Sequence, residues 1–171
     1  RAAVACIAPL YAEHPQAWQH AGHKIRFLQN ATLPRALAAA TPYVLLCNPN
    51  NPTADHHPHE MVVDAARQLK KRGGWLIVDE AFVDATPELS VTPLAGSEEA
   101  PNLIVFRSLG KFFGLAGARV GFVFAATELL NRMREALGRG RSAARHERSP
   151  AWHSPTPPGR LPPAATCRLK A

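Results

Sequence analysis

Pro58-His59-Glu60-Met61-Val62-Val63-Asp64-Ala65-Ala66-Arg67-Gln68-Leu69-Lys70-Lys71-Arg72, then Gly73-Gly74, then Trp75-Leu76-Ile77-Val78-Asp79, reads as a helix, a stop and a strand. Pro58 suits a first helical turn, where its missing N–H has no intrahelical partner to lose. The paired glycines end the helix and release the chain into the next element. Trp75 to Val78 is an apolar run of strand length, and Asp79 closes it with a carboxylate. A helix feeding an apolar strand through a short glycine turn is the repeating unit of an α/β fold.

Working outward, the same alternation fills the first 137 residues. Further strands are expected at Val4 to Ile7, Lys24 to Leu28, Tyr43 to Cys47, Leu103 to Phe106 and Val120 to Phe124. Helices are expected at about Pro15 to Ala21, Pro34 to Ala40 and Glu128 to Leu137, the last with Thr127 as its N-cap. Asp84 to Asn102 holds Pro87, Pro93, Gly96 and Pro101 and reads as a long connection of loop or short irregular helix. The whole predicts α/β units around a mostly parallel central sheet.

The chain has 171 residues, of which 46% are hydrophobic, enough for one domain with a core. Its formal charge of +7 is unevenly placed. Residues 1–137 carry 13 Lys and Arg against 12 Asp and Glu, whereas residues 138–171 carry 7 against 1 and 6 of the 16 prolines. The basicity therefore belongs to the tail, and a nucleic-acid-binding body is not expected. A basic tail at 139–170 binding nucleic acid non-specifically is the contrasting possibility. From Gly138 onward no hydrophobic period survives, so residues 138–171 are expected to lack ordered structure. Two origins fit that text: a genuine basic tail, or translation in a shifted reading frame after Leu137. No apolar stretch is long enough to span a bilayer and no leader is read before Arg1, so a soluble, cytoplasmic protein is expected. Cys6 and Cys47 lie in strand-like runs and read as reduced core residues.

The chemistry concentrates in Arg107-Ser108-Leu109-Gly110-Lys111-Phe112-Phe113-Gly114-Leu115-Ala116-Gly117-Ala118-Arg119-Val120-Gly121-Phe122. A lysine among small residues after an apolar strand can approach a planar cofactor closely, and a nearby serine and arginine suit a phosphate monoester. Three further segments join it in chain order: Pro9-Leu10-Tyr11, Asn48-Pro49-Asn50-Asn51-Pro52-Thr53 and Val78-Asp79-Glu80-Ala81-Phe82. Together they resemble the fold-type-I pyridoxal 5'-phosphate (PLP) enzymes of the aspartate aminotransferase superfamily. The branch they resemble contains histidinol-phosphate aminotransferase and L-threonine-O-3-phosphate decarboxylase, with the 79–88 stretch and the Lys111 run nearer the decarboxylase. The resemblance covers about residues 3–137 and implies a three-layer αβα large domain, incomplete here because the superfamily's subunits are longer.

That resemblance implies a role for each residue. Lys111 is the Schiff-base lysine. Asp79 keeps the pyridine nitrogen protonated, from the carboxyl edge of the sheet where ligands of such folds bind. Asn51 donates to the phenolic oxygen, Tyr11 stacks on the ring, and Ser108 and Arg119 bind the phosphate. It also implies a small phosphorylated amino-acid substrate, a homodimer in the full-length family, and decarboxylation or transamination as the reaction. Each residue has a plainer reading when taken alone: a solvated lysine, an acid capping a turn, an Asn-Pro turn, a half-buried tyrosine. Two positions depart from the superfamily: Ala54 replaces the glycine after Thr53, and Phe82 replaces a tyrosine of many aminotransferases. Strand alternation points Glu80 away from Asp79. A product with the sheet but no working site is the non-catalytic alternative.

Two other patterns are set aside. His56-His57-Pro58-His59 has no Cys or Glu at ligand spacing, so those histidines read as solvated and no metal site is expected. Gly110-Lys111 resembles the end of a P-loop, but Phe112 stands where Ser or Thr is required.

Overall fold

The computed structural model describes residues 1–137 and the backbone of residues 165–170. The elements run β1 (Ala3–Ala8), α1 (Glu13–His20), β2 (Lys24–Gln29), α2 (Leu33–Ala38), β3 (Tyr43–Cys47), α3 (His59–Lys71), β4 (Trp75–Asp79), β5 (Leu103–Ser108), β6 (Val120–Ala125), α4 (Thr127–Leu137) and β7 (Ala165–Lys170). They form one sheet in the order β2-β1-β3-β4-β5-β6-β7. The first five strands are parallel. β6 reverses against β5, and β7 reverses again against β6. The expected α/β class and mostly parallel sheet are therefore observed.

Side-chain alternation on the strands divides the core into two layers of packing. Val44, Leu46, Leu76, Val78, Leu103 and Val105 face α2 and α3, and α3 meets them with Val62, Val63, Ala65, Ala66 and Leu69. Leu45 and Ile77 point the other way, toward Trp18 of α1. Leu130 of α4 packs beside them with Val123, Ile104 and Phe106. Helices thus lie on both faces, giving three layers.

The glycine pair after α3 works as expected, in two distinct ways. Gly73 takes a φ of +70°, and its N–H bonds to the Lys70 carbonyl at 3.0 Å while the Gly74 N–H reaches Leu69 at 2.8 Å. This is a Schellman-type helix end. Gly74 is needed for space: a Cβ there would sit 2.8 Å from the Pro42 carbonyl oxygen, against which the Trp75 N–H closes at 2.7 Å. The Asp84 to Asn102 connection contains short 3-10 turns at Val83–Ala85, Pro87–Leu89 and Thr92–Leu94.

Three details differ from the sequence reading. Pro58 stands at the N-cap of α3 with ψ 146°, just outside the first turn. Thr127 is already helical and does not cap α4 from outside. The expectation of a tail without structure differs at Ala165–Lys170, which form β7. The backbone N–H and C=O groups of β6 would otherwise be an open sheet edge, and β7 pairs with them along six residues. The rest of the tail, 138–164 and 171, lies outside the described residues.

Candidate cofactor site

The site residues gather at the carboxyl ends of β1, β3, β4 and β5. Parallel strands end together, so β3 brings Cys47 beside Asp79, and β4 brings Asp79 beside Phe106. Asp79 is held at both carboxylate oxygens: the Ala81 N–H donates to Oδ1 at 2.9 Å, and His14 Nε2 lies 2.6 Å from Oδ2. The His14 ring is itself fixed. It stacks on Phe106 at 5.9 Å between centroids and meets the edge of Tyr11 at 5.7 Å. Tyr11 remains 45% exposed, with its ring open to solvent at this edge.

Cys47 ties this half of the site together. Its thiol lies 4.0 Å from Asp79 Oδ2 and near the backbone N–H groups of Tyr11 and Asn51. Burial, and then the Asp79 charge, push its pKa up to about 12, although the two N–H groups pull the other way. The thiol is accordingly protonated at neutral pH. Burial likewise raises Cys6, to about 11.

The Asn-Pro loop between β3 and α3 is held by its other asparagines. Asn48 is fully buried, accepts the His57 N–H at 2.8 Å and donates to the His57 carbonyl at 3.1 Å. Asn50 donates to the Pro9 carbonyl at 2.9 Å, which ties the loop to the segment carrying Tyr11. Asn51 is half-buried between these anchors. Ala54 adopts a left-handed conformation with φ +60°, which favours glycine, and its N–H closes the turn on the Asn50 carbonyl at 2.9 Å. Burial, and then the neighbouring His56, hold His57 below its ordinary pKa.

The second half of the site lies between β5 and β6. Ser108 ends β5, and its hydroxyl accepts the Gly110 N–H at 3.1 Å. Lys111 is exposed, with Nζ 5.6 Å from the centre of the Phe82 ring, a cation–π contact. Arg119 is exposed in a left-handed conformation at φ 47°, immediately before β6. Its guanidinium forms no ion pair among the described residues.

Beneath both halves lies a buried polar cluster. Glu80 is fully buried and accepts from the Ser90 hydroxyl, the Thr92 hydroxyl and the Val91 N–H at 2.6–2.7 Å. Burial nevertheless raises its carboxyl above the ordinary range. Arg107 lies 3.5 Å from Glu80 and pairs closely with Asp84. The cluster joins the residue after Asp79 to the residue before Ser108.

Tyr11, Asn51 and Asp79 thus surround one thiol, and Ser108, Lys111 and Arg119 share the next loop along the same edge. His14 and Cys47 were missed by sequence reasoning. His14 lies three residues beyond Tyr11, at a spacing that gave no signal without knowledge of where α1 begins. The chemistry of the set suits PLP: an anchored carboxylate, an exposed amine, and in the same stretch of chain a hydroxyl and a guanidinium without an ion-pair partner among the described residues.

This mostly parallel α/β sheet, with an amine, a carboxylate and a guanidinium at its carboxyl edge, has the fold of a PLP-transferase large domain. The chain belongs to the class I and II aminotransferase family, whose pattern matches residues 2–146 and so runs past Leu137, where the motif resemblance was read to end. That family is PLP-dependent. The chain is 48% identical over 133 residues to threonine-phosphate decarboxylase of Pseudomonas aeruginosa, a match covering 77% of this chain and 39% of that protein. It is 47% identical over 128 residues to the same enzyme of a Sinorhizobium species, covering 74% and 37%. The chain therefore spans less than two fifths of the length of these relatives. Among solved structures, it superposes with a TM-score of 0.69 on histidinol-phosphate aminotransferase from Sinorhizobium meliloti in complex with PLP, at 28% identity, covering 80% of this chain and 40% of that one. No helix among the described residues is long and apolar enough to cross a membrane.

Proposed function

We propose that this chain carries the PLP-holding part of a decarboxylase that converts L-threonine O-3-phosphate to (R)-1-aminopropan-2-yl phosphate and CO₂, a step of cobalamin biosynthesis. The observation that carries the cofactor reading is Asp79, pinned at both oxygens at the carboxyl edge with the Tyr11 and Asn51 segments around it. The 48% identity to a threonine-phosphate decarboxylase favours the reaction.

When bound, PLP supplies a ring that draws off the electron pair left on the substrate's α-carbon. Asp79 holds a proton at the ring nitrogen, and His14 fixes the orientation of that carboxylate. Asn51 donates its amide to the phenolic oxygen. Tyr11 would stack on the ring, and Ser108 and Arg119 would hold the phosphate, the arginine by charge-assisted contact. Lys111 holds the cofactor and, after CO₂ has left, delivers a proton to the α-carbon. Phe82 leaves the phenolic oxygen without the tyrosine donor of many aminotransferases.

A transaminating enzyme is the second reading, favoured by the likeness to a histidinol-phosphate aminotransferase. There Lys111 would instead remove the α-proton. The test begins with PLP added to the protein. A visible absorbance band should appear, bleach with borohydride and be absent in Lys111→Ala. No band in the native chain would end the cofactor reading. Supplying threonine phosphate, and separately an amino acid with a keto acid, then separates the reactions: CO₂ release supports decarboxylation, and amino transfer in its place supports the second reading.

A further inference from the structure

At the carboxyl edge, the carboxylate that the cofactor would use is one of three different donor groups brought together from three separate elements. His14 Nε2 comes from α1, Cys47 Sγ ends β3, and Asp79 Oδ2 ends β4, and the three atoms lie within 4.8 Å of one another. Ligand atoms on a tetrahedral zinc or cobalt ion stand roughly 3.3–3.8 Å apart, given metal–ligand lengths of about 2.0–2.3 Å. To reach that spacing the 2.6 Å His14–Asp79 contact widens, the 4.0 Å Cys47–Asp79 separation closes slightly, and the His14 and Cys47 atoms, within 4.8 Å of each other, draw in as well.

Each donor is also held from behind. The Ala81 N–H anchors the other oxygen of Asp79, Phe106 stacks on the His14 ring, and the Tyr11 and Asn51 N–H groups flank the thiol. Such second contacts orient ligands in metal sites. One nitrogen, one sulfur and one carboxylate oxygen select a borderline ion and do not suit magnesium or calcium.

We propose that His14, Cys47 and Asp79 form a zinc site with three protein ligands and a fourth position open to solvent. On binding, the Cys47 S–H bond breaks, the sulfur takes the metal and the proton passes to solvent. His14 binds through Nε2 with its proton on Nδ1, and Asp79 binds as the carboxylate. No electron is transferred. The ion takes the same Asp79 oxygen region that the cofactor's ring nitrogen requires, so zinc and PLP exclude one another. That exclusion, unlike the metal site itself, rests on the proposed cofactor reading.

Cobalt(II) tests the site, because a thiolate ligand gives it a charge-transfer absorption that nitrogen and oxygen ligands do not. The metal-free, reduced chain is titrated with cobalt, and zinc is then added to displace it. One equivalent should produce the band. Cys47→Ser should abolish it, and His14→Ala and Asp79→Asn should each weaken cobalt binding at least about tenfold, the scale of losing one ligand interaction. Cys6→Ser, Cys167→Ser and the His56→Ala, His57→Ala double variant should keep it, and thermal melts identify any variant that has lost its fold. A missing band in the native chain, or a band surviving Cys47→Ser, overturns the site.

In the second arm, zinc should suppress the borohydride-bleachable PLP band in the native chain and not in Cys47→Ser. PLP and cobalt bound together at full occupancy would overturn the exclusion. Absence of any PLP band without zinc would overturn the cofactor reading, while the cobalt titration still decides the metal site.

Discussion

His14 is a single side chain whose contact holds one oxygen of Asp79 in place. A hydrogen bond to a charged partner contributes about 1.5–3 kcal/mol, so His14→Ala should weaken PLP binding about tenfold or more, read from the borohydride-sensitive band at limiting cofactor. Unchanged affinity would mean that Asp79 needs no partner. Glu80 offers a test of a different kind. Burial raises its folded pKa, so the native state binds its proton more tightly than the unfolded chain. Its contribution is then fully present below the unfolded carboxyl range and is lost as pH rises through the raised folded value. Glu80→Gln mimics the protonated form, so its melting temperature relative to the native chain should improve as pH rises from the acid range toward neutrality. A difference that stays flat with pH would refute this. The placement of Asp79 and Lys111 at the carboxyl edge was legible in the sequence because each ends or follows an apolar run. That of His14 and Cys47 was not. A histidine in a short helix and a cysteine in a strand look like ordinary residues until the parallel register brings them to one carboxylate.

At the level of elements, the glycine pair after α3 separates two reasons for having glycine. Gly73→Ala meets no neighbouring atom and suffers only from its left-handed backbone, at about 1–2 kcal/mol. Gly74→Ala drives a methyl group into the Pro42 carbonyl and Leu69, and overpacking of that kind adds roughly 1–3 kcal/mol. Because the backbone oxygen cannot swing aside, Gly74→Ala should lower the melting temperature by more than Gly73→Ala, by several degrees in a chain of this size. The reverse order would show that the α3–β4 turn yields easily. Strands β1 to β6 were legible to within one or two residues because apolar runs bounded by Gly, Pro and polar residues are unambiguous at strand length. β7 was not. Ala165-Thr166-Cys167-Arg168-Leu169-Lys170 alternates apolar and polar residues for only six positions within Pro- and Arg-rich text, and its strand state comes with the partner edge of β6, a long-range cause that no local window contains.

In the molecule as a whole, the two faces of the sheet are covered unequally. α2 and α3 seal one face, while Ile25, Tyr43, Trp75, Ile104 and Phe106 on the other are only partly buried beside α1 and α4. Tyr11, Phe112 at 61% exposure and Leu115 at 50% add apolar surface at the carboxyl edge. Surface of this kind associates. Sedimentation of the isolated chain should show self-association that grows with concentration, and a single monomeric species throughout would contradict it. The strand order also has a consequence in time. From β3 to β6 each strand emerging from the ribosome finds its neighbour already made, so the sheet can grow outward at one edge during synthesis. The residues proposed for the cofactor's ring appear with β1, β3 and β4, and those proposed for its phosphate only with β5 and β6. A nascent chain stalled between β4 and β5 would therefore already carry His14, Cys47 and Asp79, the three ligands of the proposed zinc site, before Ser108, Lys111 and Arg119 had been made.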